Sequence, residues 1–590
     1  SNVSISYLIS IKSKLSIREN MAVAGWLVCV ISLTFASETV FSTENEDSDH
    51  GRKMETVLIA ILVRNKGHTL PYFLSYLHKL DYPKDRISLW IRSDHNIDDS
   101  IDVLEKWLNA YKHLYHSVHP VLERHGTSLR GEEGIAHWPL SRYRHVIPMR
   151  ESALHTARYM WADYLWMLDC DVFITNPNTL KELVRKKFPI VAPALRSDGL
   201  YSNFWCGMSN EFYYMRTEDY GPILNRKKKG CFTVPMVHSS VLIDLRSTAT
   251  DNLTYDPQIL RGYSGPIDDI ITFARSANMS GINMTVCNDE IYGYVMVPLE
   301  KDDPIHYDLI QLRNLKLEIL IDGPPPEVDP LLDQFVREAH EPPIPVNKTF
   351  MINLRRRPDR RTRMLNSFKE LRLEVETIDA VDGRSLSDDD LKNLGVKLMP
   401  GYQDPFHKRP MKRGEIGCFL SHYVIWNEVS RKGYDVAMIL EDDVRFEPFF
   451  NQKMHSLLKE VANLPFEWDL IYLGRKKLDE KNEEAVAGTS HLVWAGYSYW
   501  TLGYLLSARG ADKLLEQDPL SNVLPVDEYL PILYDKHPAD EWKDFYPKRD
   551  LIALSVEPLI IYPTRYLHEE GYISDTEDSA VISSTPNPEL

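Results

Sequence analysis

An apolar run typical of a buried β-strand, Tyr164–Leu168, ends directly in Asp169 and Asp171. Residues two apart in an extended segment point the same way, so both carboxylates can face one cation. Oxygen ligands of this kind suit Mn²⁺ or Mg²⁺, and such an ion can hold a diphosphate. We therefore predict that Asp169 and Asp171 bind a metal that holds a nucleotide sugar. The alternative is a solvated turn or a helix cap.

A second apolar run, residues 436–440, ends in Glu441, Asp442 and Asp443. In open α/β sheets, ligands bind at the carboxyl ends of the strands, so both acidic clusters are aimed at a cleft. We predict Asp442 and Asp443 as metal ligands and Glu441 as a substrate-binding residue. The alternatives are an N-cap cluster and a salt-bridge partner for Arg445.

An acidic pair precedes a helix-like segment in each half of the chain: Asp268 with Asp269, and Asp527 with Glu528. Transfer of a sugar to a hydroxyl with inversion needs a carboxylate that accepts the hydroxyl proton, while cations hold the departing diphosphate. These four residues are candidate general bases. A helix N-terminus whose acids complement its dipole accounts for each pair equally well.

Basic side chains follow the strand-like run of residues 348–354: Arg355, Arg356, Arg357, Arg360 and Arg361. Guanidinium groups make bidentate contacts with phosphate oxygens. We predict that Arg355, Arg357 and Arg360 bind the substrate, and a solvated basic face is the alternative. His422, in an apolar segment, is predicted to be a packed or capping histidine.

Two α/β units of similar layout are needed to position these residues. Each half opens with a strand-like run and a polar turn, and a helix follows from Leu70 in one half and from about Asp359 in the other. This order is typical of an α/β fold with a parallel sheet. The predicted ranges are 52–321 for the first domain, 322–346 for a Pro-rich linker, 347–570 for the second domain and 574–590 for an acidic, disordered tail.

The composition excludes several classes of protein. Hydrophobic residues make up 43% and charged residues 26% of the 590 residues, which is typical of a globular chain. The net charge of −17 argues against a nucleic-acid binder, which needs clustered positive charge. No GxSxG or GxGxxG motif is present. A glycoside hydrolase would also use paired carboxylates, but adjacent acids at one strand end fit a shared cation better.

The sequence predicts entry into the secretory pathway. Residues 1–36 contain an apolar run that is predicted to be a cleaved signal peptide, too short for a stable membrane anchor. Five cysteines remain after cleavage, an odd number that leaves at least one free thiol. Predicted N-glycosylation sequons lie at Asn252, Asn278, Asn283 and Asn347.

Five ordered motifs in the second half resemble the glycosyltransferase 25 family. They are FMINLRRRPDRR (350–361), AVDGR (380–384), RGEIGCFLSHYVIW (413–426), ILEDDVRF (439–446) and WDLIYLGR (468–475). With LDCDVFI (168–174) and NFWCG (203–207) in the first half, residues 52–570 resemble the animal procollagen galactosyltransferases and their cerebral endothelial cell adhesion molecule relatives.

This resemblance implies two tandem glycosyltransferase A-type, Rossmann-like domains. It also implies Mn²⁺-dependent transfer of galactose from UDP-galactose to 5-hydroxylysine of collagen, forming a β linkage, in the endoplasmic reticulum lumen. Asp169 and Asp171 match the first acidic motif of the family, Asp442 and Asp443 match the second, and Asp527 and Glu528 match its later acidic pair. A non-catalytic binding protein with the same fold remains the alternative, and a homodimer is left open.

Overall fold

A computed structural model describes residues 53–126, 128–478, 483–565, 574–576 and 579. From Glu55 onward, these residues belong to one compact unit. The predicted signal peptide and the C-terminal residues Asn587–Leu590 lie outside the described part of the chain.

The first half of the described chain contains an eight-stranded sheet. Its strands and short ribbons are β1 (Val57–Val63), β2 (Ile87–Ser93), β3 (Ser117–Leu122), β4 (Tyr164–Leu168), β5 (Val172–Phe173), β6 (Ile190–Pro193), β7 (Phe204–Trp205), β8 (Gly207–Met208), β9 (Tyr214–Met215), β10 (Cys231–Val234), β11 (Met236–Val237), β12 (Ser240–Asp244), β13 (Met284–Cys287) and β14 (Tyr294–Val295). Its helices are α1 (Leu70–Lys79), α2 (Ser100–Tyr111), α3 (Leu140–Tyr159), α4 (Thr179–Lys186), α5 (Tyr220–Leu224), α6 (Asp269–Met279) and α7 (Ile305–Asp322).

The second half contains a seven-stranded sheet within the same described ranges. Its strands and ribbons are β15 (Lys348–Asn353), β16 (Glu376–Asp379), β17 (Ala437–Glu441), β18 (Val444–Phe446), β19 (Leu470–Lys477), β20 (Leu492–Trp494), β21 (Ser498–Leu506), β22 (Ala553–Val556) and β23 (Ile561–Pro563). Its helices are α8 (Pro358–Leu371), α9 (Asp388–Asn393), α10 (Arg413–Lys432), α11 (Phe450–Val461), α12 (Ala508–Glu516), α13 (Val526–Leu533) and α14 (Asp540–Lys543). Short 3₁₀ helices cover Lys84–Arg86, Lys112–Leu114, Thr248–Asn252, Pro330–Phe335 and Pro519–Asn522.

The two sheets have the same topology. The first has the order β10-β13-β6-β12-β4-β1-β2-β3, and the second, read in the same direction, has the order β20-β22-β19-β21-β17-β15-β16. Each pair of corresponding neighbours has the same relative direction, and the first sheet carries one further edge strand, β3. The similarity of layout predicted from the sequence is therefore confirmed at the level of strand order.

Strand positions predicted from apolar runs are confirmed, but the parallel sheet is not. In both halves, the strand that ends in acids pairs with a parallel neighbour on one side and with an antiparallel strand, β12 or β21, on the other. A run of buried apolar residues indicates a strand without encoding its direction, which depends on the connections. The sheets are mixed.

Helix α7 joins the two halves. Near its start, Asp308 lies 3.0 Å from Nε2 of His68 in the first half. Near its end, Glu318 lies 3.0 Å from Arg445 in the second half. One helix therefore makes polar contacts with both halves.

The Pro-rich segment that follows α7 packs on the first half. The phenol of Tyr111 donates to Asp329 at 2.6 Å, and the Asp329 N–H donates to Ser75 Oγ at 2.8 Å. Proline restricts the backbone and removes donors, so this segment is irregular apart from one 3₁₀ helix. The linker is thus anchored to one of the halves that it connects.

Two features agree with the secretory interpretation. Cys231 and Cys287 form a disulfide between β10 and β13, while Cys170, Cys206 and Cys418 are free in the described chain, which confirms the expectation of an unpaired thiol. The four sequon asparagines are all exposed: Asn252, Asn278, Asn283 and Asn347.

A buried ion pair joins strand β19 to Glu483, which lies in the segment between β19 and β20. The Arg475 side chain is fully buried and donates to Glu483 at 2.7 Å and to Ser555 at 2.7 Å. Glu483→Ala leaves this guanidinium buried without its carboxylate, so we expect a loss of about 3–5 kcal/mol of unfolding free energy. Glu483→Gln, which keeps hydrogen-bonding oxygen, should lose less. Urea unfolding of both variants measures this, and wild-type stability of Glu483→Ala would contradict it.

Candidate active site

The acidic cluster of the second half lies at the carboxyl ends of two parallel strands. Asn353, the last residue of β15, donates from Nδ2 to Oδ2 of Asp442 at 2.7 Å. Arg360, in the first turn of α8, lies 3.0 Å from Asp442 and 3.7 Å from Asp443. Burial raises the pKa of Asp442, although Arg360 opposes this effect. The two carboxylates predicted as metal ligands therefore share one cationic partner.

A second pair of carboxylates lies beside this cluster. Thr501 Oγ1, on β21, lies 3.1 Å from Glu441 and 3.2 Å from Asp527, so one hydroxyl bridges both acids. The Trp500 N–H donates to Asp527 at 3.1 Å. Burial raises the pKa of Glu441 to about 7, and burial together with the nearby charge of Glu441 raises the pKa of Asp527 to about 7. Asp527 is thus suited to exchange a proton near neutral pH.

His422 is packed, as the sequence predicts. Its Nδ1 lies 2.9 Å from the Tyr504 hydroxyl and its Nε2 lies 3.3 Å from Glu441. Complete burial lowers the pKa of His422 to about 4, so the imidazole is neutral at physiological pH. It supports Glu441 without neutralising it.

Glu528 lies in a separate buried cluster, although it neighbours Asp527 in sequence. It is 1% exposed and accepts hydrogen bonds from Tyr497 at 2.9 Å and from Tyr499, while His537 lies 2.8 Å away. Adjacent residues of a helix point in different directions, so these two acids face different surroundings. We assign Glu528 a structural role and do not retain it as a candidate base.

The three predicted arginines have different environments. The Arg355 side chain is 81% exposed and pairs with Asp379 at 2.7 Å, outside the cleft. Arg357, the N-cap of α8, and Arg360, in its first turn, both pair with acids that line the cleft. Arg356, which was not among the three, lines the cleft together with Asp442. We therefore expect Arg356, rather than Arg355, to contact phosphate.

Part of the predicted disordered tail lies in the same cleft. Asp575 pairs with Arg356 at 2.6 Å and with Arg357 at 2.7 Å, and its side chain is 13% exposed. An acidic segment without core residues can still be held when partly buried cations attract it. The structure describes residues 574–576 and 579 of this tail, and disorder of the remaining tail residues stays a prediction.

In the first half, two of the predicted site acids, Asp169 and Asp269, pair with the same arginine. Arg150, on α3, lies 3.1 Å from Asp169 and 2.5 Å from Asp269. Burial opposes the charge of Arg150, but both carboxylates raise its pKa far above the usual range. These three groups form a tight ion-pair network.

The remaining first-half candidates also have partners. Lys66 lies 3.2 Å from Asp171 and 3.5 Å from Asp308. Asp268 is the N-cap of α6, where its Oδ1 accepts the Ile271 N–H at 2.9 Å. The helix-cap alternative is therefore the one observed for Asp268.

Equivalent positions of the two halves carry different bridging groups. Asp169 lies three residues before the short strand β5, and Glu441 lies three residues before the corresponding short strand β18, so the two acids occupy equivalent positions. In the first half, the charged Arg150 lies between Asp169 and Asp269. In the second half, the uncharged hydroxyl of Thr501 lies between Glu441 and Asp527. Burial raises the pKa of Asp169 as well, but Asp169 has an ion-pair partner, whereas the group that joins Glu441 to Asp527 is uncharged.

Two family models match successive parts of the chain. "Glycosyltransferase family 25, N-terminal domain" matches residues 54–316, and "Glycosyltransferase family 25 (LPS biosynthesis protein)" matches residues 346–530. A glycosyltransferase 25 family member of Aedes aegypti is 51% identical over 90% of this chain and 87% of that protein. The chain belongs to glycosyltransferase family 25.

Vertebrate relatives carry more specific names. Procollagen galactosyltransferase 2 of Homo sapiens is 44% identical over 95% of this chain and 91% of that protein. Procollagen galactosyltransferase 1 of Danio rerio is 44% identical over 94% of this chain and 92% of that protein. The resemblance seen in the motifs thus extends over nearly the whole length, and two successive family 25 domains cover most of it.

Each cleft of this family 25 chain holds the pair of carboxylates predicted to bind a metal, and both pairs lie against cations of the chain. Asp442 and Asp443 offer hard oxygen ligands, and one guanidinium already lies against both of them. Asp169 and Asp171 instead pair with separate cations, Arg150 and Lys66. In the described chain, no helix combines the length and apolarity needed to cross a membrane.

The stability of this glycosyltransferase should reveal the raised pKa of Asp527. An ordinary aspartate has a pKa near 3.9, so the folded-state value of about 7 means that the ionised carboxylate destabilises the fold. Asp527→Asn removes this penalty. The variant should gain up to about 2–4 kcal/mol at pH 8, and the gain should shrink as the pH falls from 7 towards 4.

Thermal unfolding at pH 5 and pH 8 measures this gain. Asp540→Asn, which removes an exposed carboxylate on α14, is the matched control and should show no such pH-dependent gain. Equal stabilisation of Asp527→Asn at both pH values would contradict a raised pKa.

Several site residues escaped the sequence analysis. Asn353 follows the same strand-end rule that identified the acids, so its position could have been included. Arg150 and Thr501 lie in the middle of a helix and a strand, where side-chain type alone carries no signal. Their contribution depends on the packing of distant elements.

Proposed function

We propose that this protein is a procollagen galactosyltransferase. It would transfer galactose from UDP-galactose to the hydroxyl of 5-hydroxylysine in collagen chains. The names of the vertebrate relatives support the sugar and the acceptor. The observation that carries the assignment of the active cleft is the Glu441–Thr501–Asp527 arrangement in the second half.

In the proposed reaction, Asp527 accepts the proton of the acceptor hydroxyl. The freed oxygen attacks the anomeric carbon of galactose, and the bond from that carbon to the diphosphate breaks, which inverts the configuration and forms the β linkage. The Trp500 N–H and the Thr501 hydroxyl orient the Asp527 carboxylate. Glu441, held by the same hydroxyl, keeps the pKa of Asp527 raised.

The departing UDP carries the negative charge. Arg356 and Arg360 line the cleft, Arg357 contacts Asp575 within it, and these guanidinium groups can donate several N–H groups to diphosphate oxygens. Asp442 and Asp443 would hold Mn²⁺, which supplies charge stabilisation to the diphosphate when bound. In the absence of the donor, these arginines pair with carboxylates of the chain.

We infer that the first half supports the reaction without performing it. The Arg150 network ties Asp169 to Asp269, which removes the candidate base and half of the metal pair. Helix α7 couples this half to the second. An acceptor-binding or dimer-forming scaffold is the role proposed for it.

The endoplasmic reticulum lumen is the proposed compartment. The Cys231–Cys287 disulfide and the exposed sequon asparagines support an oxidising, glycosylating environment. The signal peptide, the glycans and the homodimer remain predictions. Mass measurement of the purified protein before and after glycosidase treatment tests the glycans.

UDP release tests the proposed function. The purified protein is incubated with UDP-galactose, Mn²⁺ and paired collagen peptides that contain lysine or 5-hydroxylysine at one site. Release with the hydroxylysine peptide alone, abolished by a chelator, is the expected result. No release from the folded protein with either peptide would favour the non-catalytic binding protein, and release with UDP-glucose instead would change the donor.

A further inference from the structure

The C-terminal segment places a carboxylate in the arginine cluster of the second cleft. Asp575 Oδ1 lies 2.6 Å from Arg356 Nη1, and its Oδ2 lies 2.7 Å from Arg357 Nη1 and 3.5 Å from Arg360 Nη1. The carboxylate therefore contacts the same three guanidinium groups that the proposed donor diphosphate would use. Both anions cannot occupy these N–H groups together.

A glycine at the start of α10 supports the segment from the other side. The Gly414 N–H, in the first turn of the helix, donates to Ser579 Oγ at 2.9 Å. A Cβ atom at Gly414 would lie 2.5 Å from the Thr576 carbonyl oxygen, closer than such atoms approach. The segment can therefore take this position only because residue 414 lacks a side chain.

The segment is tethered next to the site. Strand β23, the last described strand before it, pairs with β18, which directly follows the acidic cluster. The Thr564 N–H donates to the carbonyl oxygen of Asp443 at 2.7 Å. A tethered carboxylate has a high effective concentration, so a single charge can compete with a free ligand.

We propose that Asp575 occupies the diphosphate site of the free enzyme and is displaced when the nucleotide sugar binds. This inference rests on the proposed function, which places the donor in the second cleft. A diphosphate carries more charge and more acceptor oxygens than one carboxylate, so at sufficient concentration it displaces the Asp575 carboxylate from the arginines. Competition with Asp575 then raises the concentration of nucleotide sugar that is needed to fill the site.

Calorimetric titration with UDP in the presence of Mn²⁺ tests the competition. Asp575→Asn and Gly414→Ala should each bind UDP about three- to thirty-fold more tightly than the wild type, because both weaken the tail contact without altering an arginine. Asp540→Asn removes one exposed negative charge elsewhere and should bind UDP like the wild type. Equal or weaker binding by Asp575→Asn, in protein with an unchanged melting curve, would overturn the proposal.

Titration with inorganic pyrophosphate separates this inference from the proposed function. Tighter pyrophosphate binding by Asp575→Asn, with no UDP binding by any form, would support the tail contact and reject the donor site. Pyrophosphate affinity that is the same in the wild type and both tail variants would reject the tail contact, whatever UDP does. Agreement between Asp575→Asn and Gly414→Ala shows that displacement of the segment, rather than the loss of one charge, causes the change.

Discussion

Asp527→Asn is expected to reduce galactosyl transfer by about 10²–10⁴-fold, because the amide cannot accept the proton of the acceptor hydroxyl. The substitution preserves the shape of the side chain and an oxygen for the Trp500 N–H. UDP affinity should therefore change little while kcat falls. In the wild type, kcat should rise as the pH increases through about 7, since only the ionised carboxylate of Asp527 acts as a base.

Initial rates with a hydroxylysine peptide, measured from pH 5.5 to 8.5, check both expectations. Asp269→Asn, at the corresponding helix start of the first half, is the comparison and should lose less than about ten-fold, because its partner Arg150 retains Asp169. If Asp527→Asn keeps more than one-tenth of the wild-type kcat, Asp527 is not the base. Since the same variant is expected to be more stable at pH 8, loss of activity through unfolding is excluded by its melting curve.

A second large effect should distinguish the two halves of the chain. We expect the pair Asp442→Asn and Asp443→Asn to lose about 10²–10⁴-fold in transfer and to need much more Mn²⁺ for half-maximal rate. The pair Asp169→Asn and Asp171→Asn should lose less than about ten-fold. The reason is that the first-half acids pair with two separate cations, Arg150 and Lys66, whereas the two second-half acids lie against the same guanidinium, that of Arg360.

Both double variants should fold. In these variants Arg150 still has its ion pair with Asp269, Lys66 still has its ion pair with Asp308, and Arg360 still lies near Asp575. Rates measured against Mn²⁺ concentration at saturating UDP-galactose compare them directly. The opposite ranking, with the larger loss in the first half, would move the active site to Asp169 and Asp171.

Local sequence patterns predict much of this architecture. Apolar runs such as Tyr164–Leu168 indicated strands, and acids at their carboxyl ends indicated clefts, because both depend on residues adjacent in the chain. The similar layout of the two halves followed from the same local signals. Strand direction did not, since β12 and β21 reach their neighbours through long connections.

The two acidic pairs show where local patterns end. Asp268 and Asp269, like Asp527 and Glu528, are adjacent acids before a helix, and each is equally consistent with a base or a cap. In the fold, Asp268 caps α6, Glu528 is enclosed by tyrosines, and Asp527 reaches the cleft. Helix geometry turns adjacent side chains apart, and only the surrounding elements decide what each one meets.

The sequence by itself determined the family, the two-domain layout and the set of acids from which the site is built. Tertiary structure alone decided which cation or hydroxyl faces each acid: Arg150 between Asp169 and Asp269, Thr501 between Glu441 and Asp527, and Asp575 among arginines more than 200 residues earlier. Charges act through space over a few ångströms, so a pKa depends on neighbours that chain distance does not reveal.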